Sequence, residues 1–461
     1  MNPPIWSHQK KAIELAPDKF GLFFDPGTGK SRTVLEIYRA KRDHNGRVLI
    51  FAPLNVCRNW PKEIGKFLRA KHEIFLVAGQ TKPKKLRELE RFNNSTAKAH
   101  KILICNIESL RSAPYLKLMQ NSRAQTLIVD ESHMCKSPTS KQTKGLLQLE
   151  KYLKPKHCYL LSGTPSPQGE ADLWSSLFLL GQTTDGFYLW RKKYFEDKNA
   201  SWADNPKHFP NYVLRQSTKN KLYAQLKRCS LSAKKEDVLD LPPLLHVTLS
   251  AELSPEQKKH YKTMEEYLFA IDDSGNELNA TNVLSRTLRL QQIVAGILGD
   301  AYIQETPRMQ VLGDAIELTN GAQFIVWTIF TPTYSRISRL LEKAGVSHGF
   351  LTGSTPAAER EQNMEDFQSG KLRALIAHPK AGGIGVNLTA ASYSIYYTKS
   401  YSLVDDMQSE ARNHRGGSER HKSITRIDIV APETIDETIT ESLREKKTIQ
   451  EFILALKGGS G

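Results

Sequence analysis

The residues Asp25, Pro26, Gly27, Thr28, Gly29, Lys30 and Ser31 form a string suited to holding phosphate. They follow an apolar run, FGLFF, and precede the amphipathic text RTVLEIYRA, so they should form a loop between a strand and a helix. There, Gly27 and Gly29 let backbone amides approach phosphates and the helix N-terminus adds positive potential. Lys30 would reach the β and γ phosphates of a nucleotide, and Ser31 would ligate magnesium. The run from Asp25 to Arg32 is therefore a candidate nucleotide loop. Phe24 occupies the place of the first glycine of the general pattern, and a tight glycine turn with a surface lysine would use the same residue types.

One hundred residues on, LIVDESH ends a second apolar run with two adjacent carboxylates. Asp130 can hold magnesium while Glu131 polarises an attacking water. Acidic strand ends are common, and the pair gains force from following a phosphate loop in the same sheet. SGTPSP (162–167) puts Ser162, Gly163 and Thr164 at another strand tip, suited to sensing a γ phosphate; a plain turn would read the same way. In QSEARNHRGG (408–417), Arg412 and Arg415 stand three apart, the spacing of neighbours on a helical face, from which guanidiniums could reach a transferring phosphoryl group. A pair of surface arginines is the alternative. AHPKAGGIGVNLTAAS (377–392) carries Gly382, Gly383 and Gly385 after a strand, allowing close backbone approach to nucleotide or phosphodiester, or merely a turn.

The elements that must position these residues are legible as apolar runs. FGLFF, RVLIFAP, KILICN, QTLIVDE and HCYLLSGTP all fall before residue 166; QFIVWTIF, RALIAHP, YSIYYTK and ITRIDIVAP fall after 322. Strands buried on both faces read this way, which implies parallel sheets covered by helices. The expected fold is α/β: a first lobe over 1–180, a mainly helical inter-lobe region over 181–310, a second lobe over 311–457, and a flexible tail over 458–461. Ser254 and Pro255 suit an N-cap and first helical position, and Ile435, Ile439 and Leu443 share one face of a helix expected to stop near Gly458.

Composition sets outer limits. The 461 residues carry a formal net charge of +16, so the long-range field attracts polyanions. Basic runs lie at 81–91, at 191–193 (RKK) and at 418–422, although most such runs are solvated faces. The five cysteines show no CxxC spacing, which points to a reducing compartment without structural zinc. No stretch approaches eighteen uncharged apolar residues and the start lacks an apolar signal core, so a cytoplasmic protein without membrane contact is expected.

Taken in order, the strings resemble the Swi/Snf-type branch of the superfamily 2 helicase-like ATPases, from residue 5 to about 440. IWSHQ looks like the adenine-reading Q motif with Gln9 as contact, DPGTGKS like motif I, APLNVCRNWPKEIGKF like motif Ia, DESH like motif II and LLSGTPSPQGEADLW like motif III. FLTGSTPAAEREQNMEDFQ, AGGIGVNLTAAS and QSEARNHRGG match second-lobe motifs in sequence order. Tyr401, Ser402 and Leu403 stand where the branch usually has Trp-Asn-Pro, Ser418 replaces the last Gln of motif VI, and Gln168 stands where Asn is usual.

The resemblance implies two RecA-like lobes with ATP and Mg2+ between them, Lys30, Glu131, Arg412 and Arg415 as catalytic residues, and a motor on double-stranded or branched DNA. A strand-separating DNA or RNA helicase is the alternative, and a non-catalytic binding module a more distant one. Contacts would fall mainly on phosphates. Candidate DNA-facing positions are Asn55, Arg58 and Asn59 in motif Ia, Ser109, Thr331, Thr333, Lys380 and Asn387. Protein partners are left open.

Overall fold

A computed structural model describes residues 4–41, 46–200, 210–273, 280–298, 301–303, 305–380 and 387–455. The chain divides into two compact units, one of 1–239 with 446–461 and one of 240–445.

In the first unit β1 (Lys19–Phe24), β2 (Arg47–Ala52), β3 (His72–Val77), β4 (His100–Asn106), β5 (Thr126–Asp130) and β6 (His157–Leu161) join a single sheet. A small antiparallel hairpin, β7 (Phe195–Asp197) with β8 (Tyr212–Leu214), precedes the last strand of that sheet, β9 (Ser230–Ala233). The order is β3-β4-β2-β5-β6-β1-β9. Every pairing is parallel. A common direction puts the carboxyl ends of β1, β5 and β6 on one edge of the sheet, where open α/β sheets bind ligands.

The second unit repeats the plan. After β10 (Leu244–Ser250) and a short hairpin, β11 (Ile297–Leu298) with β12 (Ala301–Tyr302), come β13 (Phe324–Trp327), β14 (His348–Leu351), β15 (Ala374–Ala377), β16 (Tyr393–Tyr396) and β17 (Ile424–Val430). Their order is β10-β17-β16-β13-β15-β14, again wholly parallel. Phe324 and Val326 join one hydrophobic cluster, while Ile325 and Trp327 join another on the opposite face. That alternation, with both faces covered, is why the run reads as continuously apolar. Two parallel-sheet α/β lobes are thus present, as the apolar runs imply.

The region 181–310 is shared between the units rather than standing apart. Its Ser230–Ala233 adds an edge strand to the first sheet and its Leu244–Ser250 an edge strand to the second. Ser254 does cap the helix Pro255–Asp273: its Oγ accepts the Gln257 N–H at 3.2 Å and Gln257 Oε1 accepts the Ser254 N–H at 3.1 Å. The helix Ile435–Ala455 begins in the second unit, and its residues from Lys446 belong to the first. Gly458 and the 458–461 tail lie outside the described residues.

Candidate active site

The nucleotide loop leaves β1 and enters the helix Lys30–Ala40. Gly27 and Gly29 have φ of +85° and +84°, a left-handed conformation that favours glycine. At Gly29 a Cβ would stand 2.2 Å from Gln9 Nε2, so this glycine is also required for space.

The short N-terminal helix Ser7–Leu15 braces the loop. Gln9 Nε2 donates to the Gly29 carbonyl at 3.2 Å while its Oε1 accepts the Trp6 N–H at 3.0 Å. His8 Nε2 lies 2.9 Å from the Thr28 carbonyl, and Thr28 Oγ1 donates to the Asp25 carbonyl at 2.7 Å. Gln9, expected at the adenine, is thus bonded through its amide to the loop backbone.

Lys30 Nζ donates to the carbonyls of Phe24 and Asp25 at 2.9 and 3.3 Å, which holds the cation inside the loop. Asp25 is buried; its Oδ2 accepts the Lys235 N–H at 3.0 Å, and burial raises its carboxyl above the usual range. The β9 edge strand therefore anchors the loop, because the Asp25 N–H also donates to the Ala233 carbonyl at 2.9 Å. Ser31 is half-buried in the first helical turn. Arg32 is engaged elsewhere: Nη1 donates to the Pro4 carbonyl at 2.9 Å and the guanidinium lies 5.1 Å from the Phe67 ring centre.

Two strands away, β5 delivers Asp130 and Glu131 to the same edge. Both are buried. Asp130 accepts the Trp60 indole N–H at 3.2 Å and the Glu131 N–H at 3.0 Å. Burial, then repulsion from Glu131, raises the Asp130 carboxyl well above its ordinary range, with Lys30 opposing the rise. Glu131 has φ of +50°, a left-handed conformation that costs a non-glycine residue about 1–3 kcal/mol and persists only where surroundings enforce it. Its Oε2 lies 3.3 Å from His133 Nδ1, which lies 3.1 Å from Ser162 Oγ at the β6 tip. Ser162 Oγ accepts the Thr164 N–H at 3.1 Å. A Cβ on Gly163 would meet Pro26 Cδ at 2.9 Å, so the β6 tip lies directly against the phosphate loop.

A hydroxyl in a helix's first turn and a buried carboxylate beside a second one suit magnesium, which takes one or two carboxylates and completes its shell from phosphates and water. Among the described residues no group of three or more His, Cys, Asp or Glu side chains is placed to hold a metal by itself. All five cysteines are buried and free, and burial pushes the Cys57, Cys135, Cys158 and Cys229 thiols up to about 12, so none is an activated nucleophile.

In the second unit the expected helical face for Arg412 and Arg415 requires correction. The helix Leu403–Glu410 ends before them, and both arginines lie on the turns that follow. Asn413 and His414 turn inward there: Ser394 Oγ donates to Asn413 Oδ1 at 3.1 Å, and His414 Nε2 lies 3.0 Å from the Pro242 carbonyl. These core bonds divert the chain, and Gly417 at φ of +103° continues the turn. Arg412 is buried, and burial lowers the Arg415 guanidinium from its ordinary value.

The DNA-facing expectations divide by exposure. Asn55, Arg58, Thr331, Lys380 and Asn387 are exposed, and Asn59 is half-buried. Ser109 and Thr333 are buried and spend their hydroxyls internally, Ser109 on Asn106 Oδ1 at 2.7 Å and Thr333 on the Phe330 carbonyl at 2.7 Å. A surface contact through either side chain is closed by that packing. Gly382, Gly383 and Gly385 lie outside the described residues.

Sequence reasoning gave no role to His8 or His133, and none to Trp60 as a donor to Asp130. Adjacency to Gln9 and Glu131 is the one signal for the two histidines; Trp60 and Asp130 are 70 positions apart and meet only through the fold.

The family described as SNF2-related domain matches residues 18–296, and the helicase conserved C-terminal domain matches 307–417. An uncharacterized ATP-dependent helicase of Mycoplasma pneumoniae is 26% identical over 452 residues, covering 94% of this chain and 40% of that protein. Protein p41 of Acyrthosiphon pisum secondary endosymbiont phage 1 is 24% identical over 452 residues, covering 93% of this chain and 92% of that protein. The Sulfolobus solfataricus SWI2/SNF2 ATPase core in complex with dsDNA is similar at 22% identity, covering 98% of this chain and 93% of that chain, with a TM-score of 0.43. The chain spans about two fifths of the length of the mycoplasma relatives it matches. With more than half its residues matched by one family, the chain belongs to the SNF2-related family.

Proposed function

We propose that this chain hydrolyses ATP to move on, or remodel, double-stranded or branched DNA. The observation that carries the reading is the convergence of three separate segments at one sheet edge. The phosphate loop, the Asp130–Glu131 tip and the Ser162–Thr164 tip are held together by Gly163 against Pro26 and by His133 between Glu131 and Ser162.

Ser31 and Asp130 would hold the magnesium ion, whose bound chemistry is neutralisation of phosphate charge. Lys30 exchanges its two loop carbonyls for the β and γ phosphates. Glu131 orients the attacking water by accepting a hydrogen bond from its O–H, while His133 ties that carboxylate to the β6 tip. A change at the γ phosphate therefore has a covalent and hydrogen-bonded route from Glu131 through His133 to Ser162 and Thr164. Arg412 and Arg415 carry over from the resemblance as the groups that stabilise the transferring phosphoryl, a role worth about 10³ to 10⁵ in rate where an arginine finger operates. The formal charge of +16 suits a phosphate-directed grip with little sequence preference.

Steady-state ATP turnover measured without nucleic acid, with blunt duplex DNA and with single-stranded RNA tests the proposal. Duplex DNA should stimulate most, and Lys30→Ala should abolish the stimulated rate. Equal or better stimulation by RNA would overturn the DNA assignment.

A further inference from the structure

The basic run at 191–193 has no part in the ATP site, yet it sits on an unusual surface. The helix Phe187–Tyr194 is anchored from below: Trp190 is buried, and Phe187 packs on Trp174 at 5.6 Å between ring centres. Its upper side presents Tyr188, which is 68% exposed. The Arg191 guanidinium lies 5.4 Å from the Tyr188 ring centre and 3.7 Å from that of Tyr212, itself 39% exposed on the β7–β8 hairpin. The planar cation is thus flanked by two tyrosine rings that both reach solvent. Arg215 Nη1 donates to the Lys192 carbonyl at 2.9 Å, tying the helix end to the residue that follows β8.

Among the described residues the charge around this group is one-sided. The helix carries three cations and no carboxylate. The described acids nearby are engaged: Asp185 pairs with Lys193 at 2.6 Å, Glu196 with Lys198, and Asp197 Oδ1 accepts the N–H groups of Asn199 and Asn211. Exposed Lys192 and the guanidinium of Arg191 remain to attract an anion. Flat π faces add what lysines lack, because a duplex offers phosphates outward while unpaired bases also offer free ring faces.

We propose that Tyr188, Arg191 and Tyr212 form a base-stacking platform for unpaired nucleotides of a branched or flapped DNA, with Lys192 on the adjoining phosphate. This deepens the motor reading, on which the choice of DNA rests, by naming the structural feature that selects the substrate. Stacking of one base on an aromatic side chain is worth roughly 5- to 150-fold in affinity. Such stacking releases few counterions, so its contribution should survive salt that weakens phosphate contacts.

The test is fluorescence anisotropy of labelled blunt duplex and of the same duplex with a single-stranded thymidine flap, at low and high salt, for the 461-residue chain and its Tyr188→Ala/Tyr212→Ala and Tyr188→Phe variants. Wild type should prefer the flap at both salts. The double alanine variant should lose roughly 5- to 150-fold on flapped DNA while keeping blunt-duplex affinity and duplex-stimulated turnover, and Tyr188→Phe should bind as wild type. Unchanged flap binding in the double variant, the result expected of a protein-docking surface, would overturn the platform; so would equal losses on both DNAs. If wild type shows no duplex-stimulated turnover, the motor reading fails instead, and the flap comparison still decides the platform.

Discussion

Each unit buries a cluster of charge, and the two clusters are balanced in opposite ways. In the first unit Asp130 and Glu131 are like charges side by side, with Lys30 opposing the rise at Asp130. In the second, Arg426 answers three acids at once: Asp406 at 2.6 Å, Glu410 at 3.2 Å and Asp428 at 3.1 Å. Its guanidinium also lies 4.0 Å from the Tyr396 ring centre, and Lys399 pairs with Asp428 at 3.2 Å. Burial pushes Asp428 up, but Arg426 and Lys399 outweigh it and hold its carboxyl below the usual range. The second cluster is closed by its own ion pairs and serves as scaffold, whereas the first sets two adjacent carboxylates at the tip of β5. The scaffold has a purpose, because Asp406 and Glu410 lie on the helix that leads directly into Arg412.

The comparison breaks most sharply at Glu131. Glu131→Gln removes the water-orienting carboxylate and should cut turnover by about 10² to 10⁴. Because it also relieves repulsion on Asp130, thermal stability should stay level or rise; a large fall in Tm would show Glu131 to be scaffold too.

Arg426→Ala should do the reverse, leaving Asp406 and Glu410 without their cation and Asp428 with Lys399 alone, at a cost of about 3–5 kcal/mol, read as a shift in the chemical denaturation midpoint. A loss below about 1 kcal/mol would mean that solvent reaches the cluster.

The smallest effect is in the pH dependence, where the two clusters have opposite signs. The folded state raises Asp130, so its contribution is fully present below the ordinary carboxylate pKa and is lost as pH rises through the raised value. Asp428 is held low, so its contribution is present above the ordinary pKa and is lost as pH falls through the depressed value. Asp130→Asn should therefore remove part of the decline in stability between the ordinary carboxylate pKa and about pH 7, and leave the acid limb intact. An unchanged alkaline limb would place the raised proton elsewhere.

What the sequence disclosed and what it withheld follow from how local each feature is. The loop from Asp25 to Ser31, the Asp130–Glu131 tip and the Ser162–Thr164 tip were legible because a strand, a turn and a helix start are encoded within about ten contiguous residues. Both parallel sheets were legible for the same reason, since strands covered on two faces need unbroken apolar text. The edge strands were not: Ser230–Ala233 holds two serines in four residues, and Leu244–Ser250 alternates like a half-exposed strand, so each depends on the neighbour it joins. The helix expected beneath Arg412 and Arg415 stops at Glu410 because Asn413 and His414 find bonds in the core, which no local propensity reports. Ser109 and Thr333 failed as surface contacts for a related reason, since the direction of a hydroxyl is set by packing. Trp60 on Asp130 required the whole sheet before it could be seen.

Displacement of a third strand from a triplex-bearing duplex tests the central claim, ATP-driven movement on double-stranded DNA, most directly. Wild type should release the third strand with ATP and magnesium but not with ADP, and Glu131→Gln should slow release by the same factor as its turnover. Brisk duplex-stimulated hydrolysis without third-strand release would contradict the account, because the ATP site would then be driving something other than translocation.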